Sequence, residues 1–302
     1  MLEDLKIGPD YDGFLFLAET VRNPPFLFRS HHHVELELNL VIEGEIIYIV
    51  EGKRYRFGKR TLLWFFPSQE HELVDRTADA RYYVVVFTPE MIHRACRGPR
   101  YEGLKEQEFS ESGILHTELE PENFDLVRKS MDALIVDGLD SDLLNQEGGF
   151  GLSPDFTFRH HDPDWLNAGL RHLLLMCWRN QQGRSLRTKE VFLHPAVKRS
   201  MKLMADSDCR DDLGYLAGQS GVSESYLSRI FHRQVGISLV RYRNSVRLDR
   251  FFEYYRRPNT HTVLDAAYAA GFGSYAQFFR VFTETYGEGP RKSFLTALAK
   301  SA

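Results

Sequence analysis

Gly221 and Gly271 stand 50 residues apart, and the residues around them repeat. Ala217 lies four positions before the first glycine and Ala267 four before the second. An apolar residue follows each at once, and a serine follows shortly, Ser223 and Ser274. The two copies read LAGQSGVSESYLSRIF and AAYAAGFGSYAQFFRVF. Glycine takes the positive φ that a tight turn demands, and a small alanine lets a second helix come close. Each copy therefore predicts two short helices joined at a glycine, the helix-turn-helix unit. Phe231 and Phe282 are 51 residues apart, as are Gly236 and Gly287, so the whole unit repeats with one inserted residue.

The spacing assigns faces to these helices. Leu213, Leu216 and Ala217 form an apolar face in the first unit, as Val263, Ala266, Ala267 and Ala270 do in the second. Leu227, Ile230 and Phe231 then bury one second helix, and Phe278, Val281 and Phe282 the other. Ser223 and Ser274 are the expected N-caps. Glu224, Ser225, Ser228 and Arg229 are left outward, and so are Tyr275, Ala276, Phe279 and Arg280. A unit of this kind lays the N-terminal part of its second helix in the major groove of DNA. Arg229 and Arg280 correspond, and each either donates to guanine O6 and N7, grips a phosphate, or is simply solvated. Phe279 either rests on a thymine methyl or belongs to the core. Between the units, SLVRYRNSVRLDRFFEYYRRP predicts a long helix ending before Pro258. Its Arg241, Arg243, Arg247 and Arg250 either reach phosphates, Arg247 foremost, or form a solvated basic face.

Charge supports the division. Residues 191–302 hold 16 Lys and Arg against 10 Asp and Glu, while residues 1–190 hold 22 against 32. A basic C-terminal third beside an acidic remainder suits a DNA-binding module joined to one that leaves DNA alone. A length of 302 residues fits two domains or more. No apolar run approaches the roughly 20 residues that span a bilayer, and MLEDLKIGPDYDG does not resemble a secretory signal. Cys96, Cys177 and Cys209 are odd in number and lie in no CxxC, which points to reduced thiols in the cytoplasm.

Residues 24–88 read as antiparallel β structure, with Ile, Val and Tyr broken at Gly44, Gly52 and Gly58. Phe124, Val127, Met131, Leu134 and Ile135 open a helical pattern from Pro121, and a second helix is expected from about Asp164 to Arg179. Residues 138–163 read as a surface loop, and the chain reads as helical from about His194. The expected fold is α+β and multidomain. A β-barrel with flanking helices occupies residues 1–120, a helical linking or dimerising segment 121–190, and an all-α domain with both helix-turn-helix units 191–302.

The C-terminal 105 residues resemble the DNA-binding domain of AraC/XylS-type transcription regulators. The matching pieces are LAGQSGVSESYLSRIF, Gly236 with SLVRYRNSVRL, Gly271-Phe272, and FRVFTETYGEGPRKSF with its Gly-x-x-Pro. The chain departs at Phe251, where the family usually has a small residue, and at the Tyr275-Ala276-Gln277-Phe278 order of the second recognition helix. The resemblance implies promoter DNA, a small-molecule effector and a second copy of the chain as partners, with RNA polymerase a further one. It also implies a sensory half built as a cupin barrel.

The first half fits that expectation. SHHHVELELNLVIEG carries His31, His33 and Glu37, and His71 follows Pro67. This resembles the cupin motif, in which three histidines and a carboxylate can hold one divalent metal such as zinc, manganese or iron. Glu35, Glu37 and Asn39 alternate with Leu36, Leu38 and Leu40, so the two sets face opposite sides of a strand. Either the carboxylates face water over a leucine core, or they line a polar lumen while helices cover the leucines; the second is the cupin arrangement and is preferred. The lumen would then be an effector pocket of His31, His33, Glu37, Tyr48, Trp64, His71 and Tyr83, with Phe26 and Phe66 nearby, suited to a sugar or similar polar molecule. The expected function is ligand-controlled promoter binding without catalysis. Two alternatives remain: a metal-dependent cupin enzyme, a dioxygenase or isomerase, fused to a DNA-binding module, and a ligand-free DNA-binding protein whose barrel only dimerises.

Overall fold

The structure is a computed structural model of the chain that describes residues 4–19, 30–106, 113–136, 157–181, 191–206, 211–255, 262–286 and 289–290. Phe26, Cys209, most of the expected 138–163 loop, the approach to Pro258, and Gly287 lie outside the described residues. Two antiparallel sheets form the N-terminal half. The front sheet runs β1 (Gly13–Glu19), β7 (Arg81–Phe87), β2 (Leu36–Glu43), β5 (Thr61–Phe65) and β8 (Leu115–Glu118). The rear sheet runs β6 (His71–Arg76), β3 (Glu45–Val50), β4 (Lys53–Gly58) and β9 (Val191–Phe192). Strands therefore extend beyond the expected 24–88 on both sides. Short strands such as LHTE in β8 carry too little period-two signal to be read alone.

Alternation along β2 decides what each sheet face touches. Leu38 pairs with Trp64 and Val85, and Leu40 with Tyr83. This face meets two helices, α2 (Pro121–Val136) and α3 (Pro163–Gln181). Trp64 Nε1 donates to Gln181 Oε1 at 3.2 Å, and its ring meets Trp178 edge-on at 5.5 Å. Leu36, Leu38 and Leu40 are fully buried there with Val127, Met131, Leu170 and Leu174. Burying each leucine contributes roughly 1.5–3 kcal/mol, which makes the helices part of the barrel's core. The opposite phase of β2 faces the rear sheet, and Asn39 Nδ2 donates to Tyr48 Oη across the lumen at 3.1 Å.

The rear sheet has two buried faces as well. Tyr48, Val50, Tyr55 and Phe57 point into the barrel core. Ile47, Ile49 and Val74 point the other way, into a second core shared with the helical half. The β3–β6 register shifts between Ile47 and Tyr48, and the extra residue lets Val74 and Asp75 both face outward.

Six further helices follow: α4 (Pro195–Ala205), α5 (Leu213–Gln219), α6 (Glu224–Val235), α7 (Leu239–Tyr255), α8 (Val263–Ala269) and α9 (Tyr275–Tyr286). Val197, Met201, Leu216, Leu227, Phe231 and Tyr242 close the second core against the rear sheet. Leu248, Phe251, Ala266, Phe272, Phe278 and Phe282 form a third core, so α7 carries one end in each. Phe251, unusual for its size, is fully buried and lies 4.5 Å from Phe278, ring to ring. A short helix α1 (Pro89–Ala95), capped by Thr88, and a 3-10 helix at Pro99–Lys105 complete the barrel's edge. Cys96 and Cys177 are buried free thiols. No helix among the described residues is long and apolar enough to cross a membrane.

Candidate functional site

The two glycine turns are built alike. Gly221 has φ +69° and Gly271 φ +93°, the left-handed region that favours glycine. Val222 N–H donates to Ala217 O at 3.1 Å, and Phe272 N–H donates to Ala267 O at 3.1 Å. Each first helix is capped by a side chain: Asp212 accepts from Tyr215 N–H at 2.9 Å, and Thr262 from Asp265 N–H at 3.1 Å. Each second helix is capped by the expected serine. Ser223 Oγ accepts from Tyr226 N–H at 3.3 Å, and Ser274 Oγ from Gln277 N–H at 3.2 Å. A side-chain N-cap contributes about 1 kcal/mol. The duplication in sequence is thus a duplication of hydrogen bonds.

The outward residues are where the spacing puts them. Glu224, Ser225 and Arg229 on α6 are exposed, with Ser228 half-buried. Ala276, Phe279 and Arg280 on α9 are exposed, and Tyr275 is half-buried against Phe278 at 5.9 Å. Phe279 is 45% exposed, so it is no core residue. Arg229 lies over the Tyr226 ring at 5.6 Å.

Arg243, Arg247 and Arg250 differ from both expectations, and Arg247 is a correction, whereas Arg241 stays on a solvated face. It is buried and makes a bidentate pair with Asp211, Nε to Oδ2 at 2.7 Å and Nη2 to Oδ1 at 2.6 Å. Its guanidinium also lies 5.9 Å from the Phe272 ring. Arg243 donates to Asp211 O at 3.1 Å. Arg250 is buried and donates to Met204 O and, at 2.7 Å, to Asp206 O. Arg241 is exposed and pairs with Asp75 of the barrel at 3.2 Å. On α7, Arg243, Arg247 and Arg250 thus turn inward and fasten neighbouring loops.

In the lumen, His31, His33, Glu37, Tyr48 and His71 come together. His33 Nε2 lies 3.2 Å from Glu37 Oε2, and His71 Nε2 lies 3.8 Å from the same oxygen. Asn39 Nδ2 donates to Glu37 Oε1 at 2.9 Å. The rings of His31 and His71 are 4.3 Å apart. Burial drives the Glu37 carboxyl upward, but His33 and His71 outweigh it and hold it well below the usual carboxylate range. Burial also raises the Tyr48 phenol.

Trp64 and Tyr83 do not join this group. Trp64 faces α3, as described, and Tyr83 Oη donates to Asp132 on α2. Both stand one residue out of phase with Glu37, and a strand sends adjacent residues to opposite faces. Their neighbours Phe65 and Tyr82 occupy the lumen side instead. Phe65 pairs with Glu37 across the ladder and stacks on His71 at 4.4 Å. Burial pushes the Tyr82 phenol up to about 12. Phe65 and Tyr82 are lumen residues that sequence reasoning missed, and Asn39, read on the face of Glu37, joins them in the pocket; sharing that phase is the signal.

Two family descriptions match separate parts of the chain. The family described as "AraC-like ligand binding domain" matches residues 14–150, and that described as "Helix-turn-helix domain" matches residues 216–294. No curated protein sequence matches the chain. Among solved structures, the chain is similar to ToxT from Vibrio cholerae at 12% identity, covering 94% of this chain and 97% of that one with a TM-score of 0.33. Unsaturated fatty acid bound ToxT gives 10% identity, 94% and 95% coverage and a TM-score of 0.35. The AraC-like transcriptional activator CuxR gives 13% identity, 85% and 78% coverage and a TM-score of 0.29. With a ligand-binding barrel followed by paired helix-turn-helix units, the chain belongs to the AraC-type transcription regulators.

Proposed function

We propose that this chain is a cytoplasmic, effector-controlled regulator whose helices α6 and α9 enter successive major grooves of promoter DNA. The observation that carries the reading is the pair of equivalent glycine turns, each presenting an exposed arginine on the outer face of its second helix. Glu224, Ser225, Ser228 and Arg229 meet one groove, and Tyr275, Ala276, Phe279 and Arg280 the next. Arg229 and Arg280 donate to guanine edges, and Phe279 packs on a thymine methyl. Helix α7, with 17 residues, is about 25 Å long and sets the separation of the two units. Arg247 supports this frame through Asp211 and leaves the phosphates to others.

The barrel lumen is the effector site. Its buried polar set suits a small polar ligand, a sugar among them, although Trp64 and Tyr83 supply no ring to hold it. Such a ligand changes DNA occupancy only through a difference in its affinity for two arrangements of the chain. The protein acts by binding rather than turnover. It works as a homodimer, with RNA polymerase a further partner.

The test is selection of bound duplexes from a random pool by the full chain, followed by affinity measurements across salt concentrations with and without sugars. The expected result is an enriched site with two separated blocks of preference. Its affinity should exceed that for random DNA by roughly 10³-fold or more and fall with added salt. Absence of any enriched sequence contradicts the reading.

A further inference from the structure

Arg229 is exposed, yet its side chain rests on a platform. Its Cζ lies over the ring of Tyr226 at 5.6 Å. Tyr226 comes three residues earlier on α6, and residues three apart share one side of a helix. A guanidinium stacked on a ring uses its face for that contact. Its N–H groups point along the edge and stay available to an acceptor in the groove. Stacking and bidentate donation to a base are therefore compatible. A long side chain loses rotamer freedom when it binds, and a ring that restricts it beforehand lessens that loss.

The ring itself is held. Tyr226 is half-buried and packs against the second core. His194, the N-cap of α4, meets it edge-on with ring centres 6.1 Å apart. His194 is fastened in turn at two points. Its Nδ1 accepts from Ala196 N–H at 3.1 Å, and its own backbone N–H donates to Gln234 Oε1 at 2.7 Å. Gln234 lies near the end of α6, and its Nε2 donates to Phe192 O at 3.3 Å. Phe192 belongs to β9 and pairs with Lys53 of β4. Contacts thus run without a break from the rear sheet through His194 and Tyr226 to Arg229.

The second unit is built differently at the matching place. Gln277 stands three residues before Arg280, and its Oε1 accepts from Gly273 N–H at 3.0 Å. That side chain serves the start of α9 and offers no ring. The chain therefore contains its own control, one arginine over an aromatic platform and one three residues after an amide.

We infer that Tyr226 is a positioning residue that orders the Arg229 guanidinium for base reading. The inference rests on the reading of α6 as a groove-binding helix for the purpose of this order, and on the geometry above for the order itself. An exposed cation on an aromatic face gains a factor of about 2–5, and the share of base discrimination owed to Tyr226 is of that size.

Two measurements on the full chain test it. The first, without DNA, follows nitrogen relaxation of the arginine Nε–H groups. Arg229 should be more ordered than Arg280, Tyr226→Leu should release it, and Tyr226→Phe should keep it ordered. The second compares affinities for the selected duplex and for duplexes altered at the base pair whose preference Arg229→Ala removes. Tyr226→Leu should reduce discrimination there by about 2–5-fold, and Tyr226→Phe should retain it. The base pair read by Arg280 should be read as in wild type. In an Arg229→Ala chain, Tyr226→Leu should have no further effect on discrimination. Where Tyr226→Leu does not fold, Tyr226→Gln takes its place, with the residue type of the second unit. An Arg229 as mobile as Arg280 in the free chain overturns the inference. So does a Leu or Gln substitution at Tyr226 that weakens every sequence equally or leaves discrimination unchanged. An ordered Arg229 in a chain that selects no sequence instead sinks the regulator reading and leaves the platform standing.

Discussion

Arg247 and Arg229 carry the same charge and serve different ends. Arg247 is held by two hydrogen bonds to Asp211 in a largely buried setting, whereas Arg229 is exposed beside Tyr226. Arg247→Ala should therefore cost about 3–5 kcal/mol of stability by leaving Asp211 unpaired. Denaturant unfolding checks this, and the salt slope of DNA binding by the folded variant should stay at its wild-type value. Arg229→Ala should leave the unfolding free energy within about 0.5 kcal/mol of wild type and relax base preference at one position. Periodicity made Arg229 legible, because a face left over after Leu227, Ile230 and Phe231 are buried points outward by geometry alone. It failed for Arg247. Nothing in a run of alternating arginines says that a loop acceptor, Asp211, waits 36 residues earlier in the chain. The lumen shows the same contrast. Glu37 and His71 were visible as chemistry, but choosing Trp64 and Tyr83 over Phe65 and Tyr82 required the phase of strands whose ends were not yet known.

At the level of elements, the turns and caps were readable and the sheet edges were not. Gly221 and Gly271 announce themselves because a positive φ has few alternatives. A Cβ at Gly221 would meet no atom within 4 Å, so Gly221→Ala isolates the backbone cost. That variant should lose about 1–2 kcal/mol, measured as a lower unfolding midpoint with the fold retained. Phe251 on α7 is the converse case, a large residue whose fit depends on tertiary context. It sits among Phe252, Tyr255, Phe278 and Phe282. Phe251→Ala should cost about 3–5 kcal/mol. Its exchange protection should fall in α8 and α9 and hold in α5 and α6, since the two units have separate cores.

The whole molecule is organised around the rear sheet, one strand thick, with lumen on one side and the first helix-turn-helix unit on the other. Ile47 and Val74 belong to the core shared with that unit. Ile47→Ala should cost about 2–5 kcal/mol, whereas Arg241→Ala, which breaks only the exposed pair with Asp75, should cost at most about 1 kcal/mol. Thermal or denaturant melts of the two variants would show this difference. The paired helix-turn-helix units were legible as a repeat. The docking of the halves was not, because Ile47 and Ile49 look like any buried strand until the helices they meet are in place. In the proposed function, α6 and α9 read DNA as two equivalent units. Hydroxyl-radical footprinting of the full chain on its selected site, compared with Arg229→Ala and Arg280→Ala, tests it most directly. Two protected stretches about one helical turn apart on one face, each disturbed by a different variant, are the predicted result. A single protected stretch, or a loss spread equally over both by either variant, would contradict it.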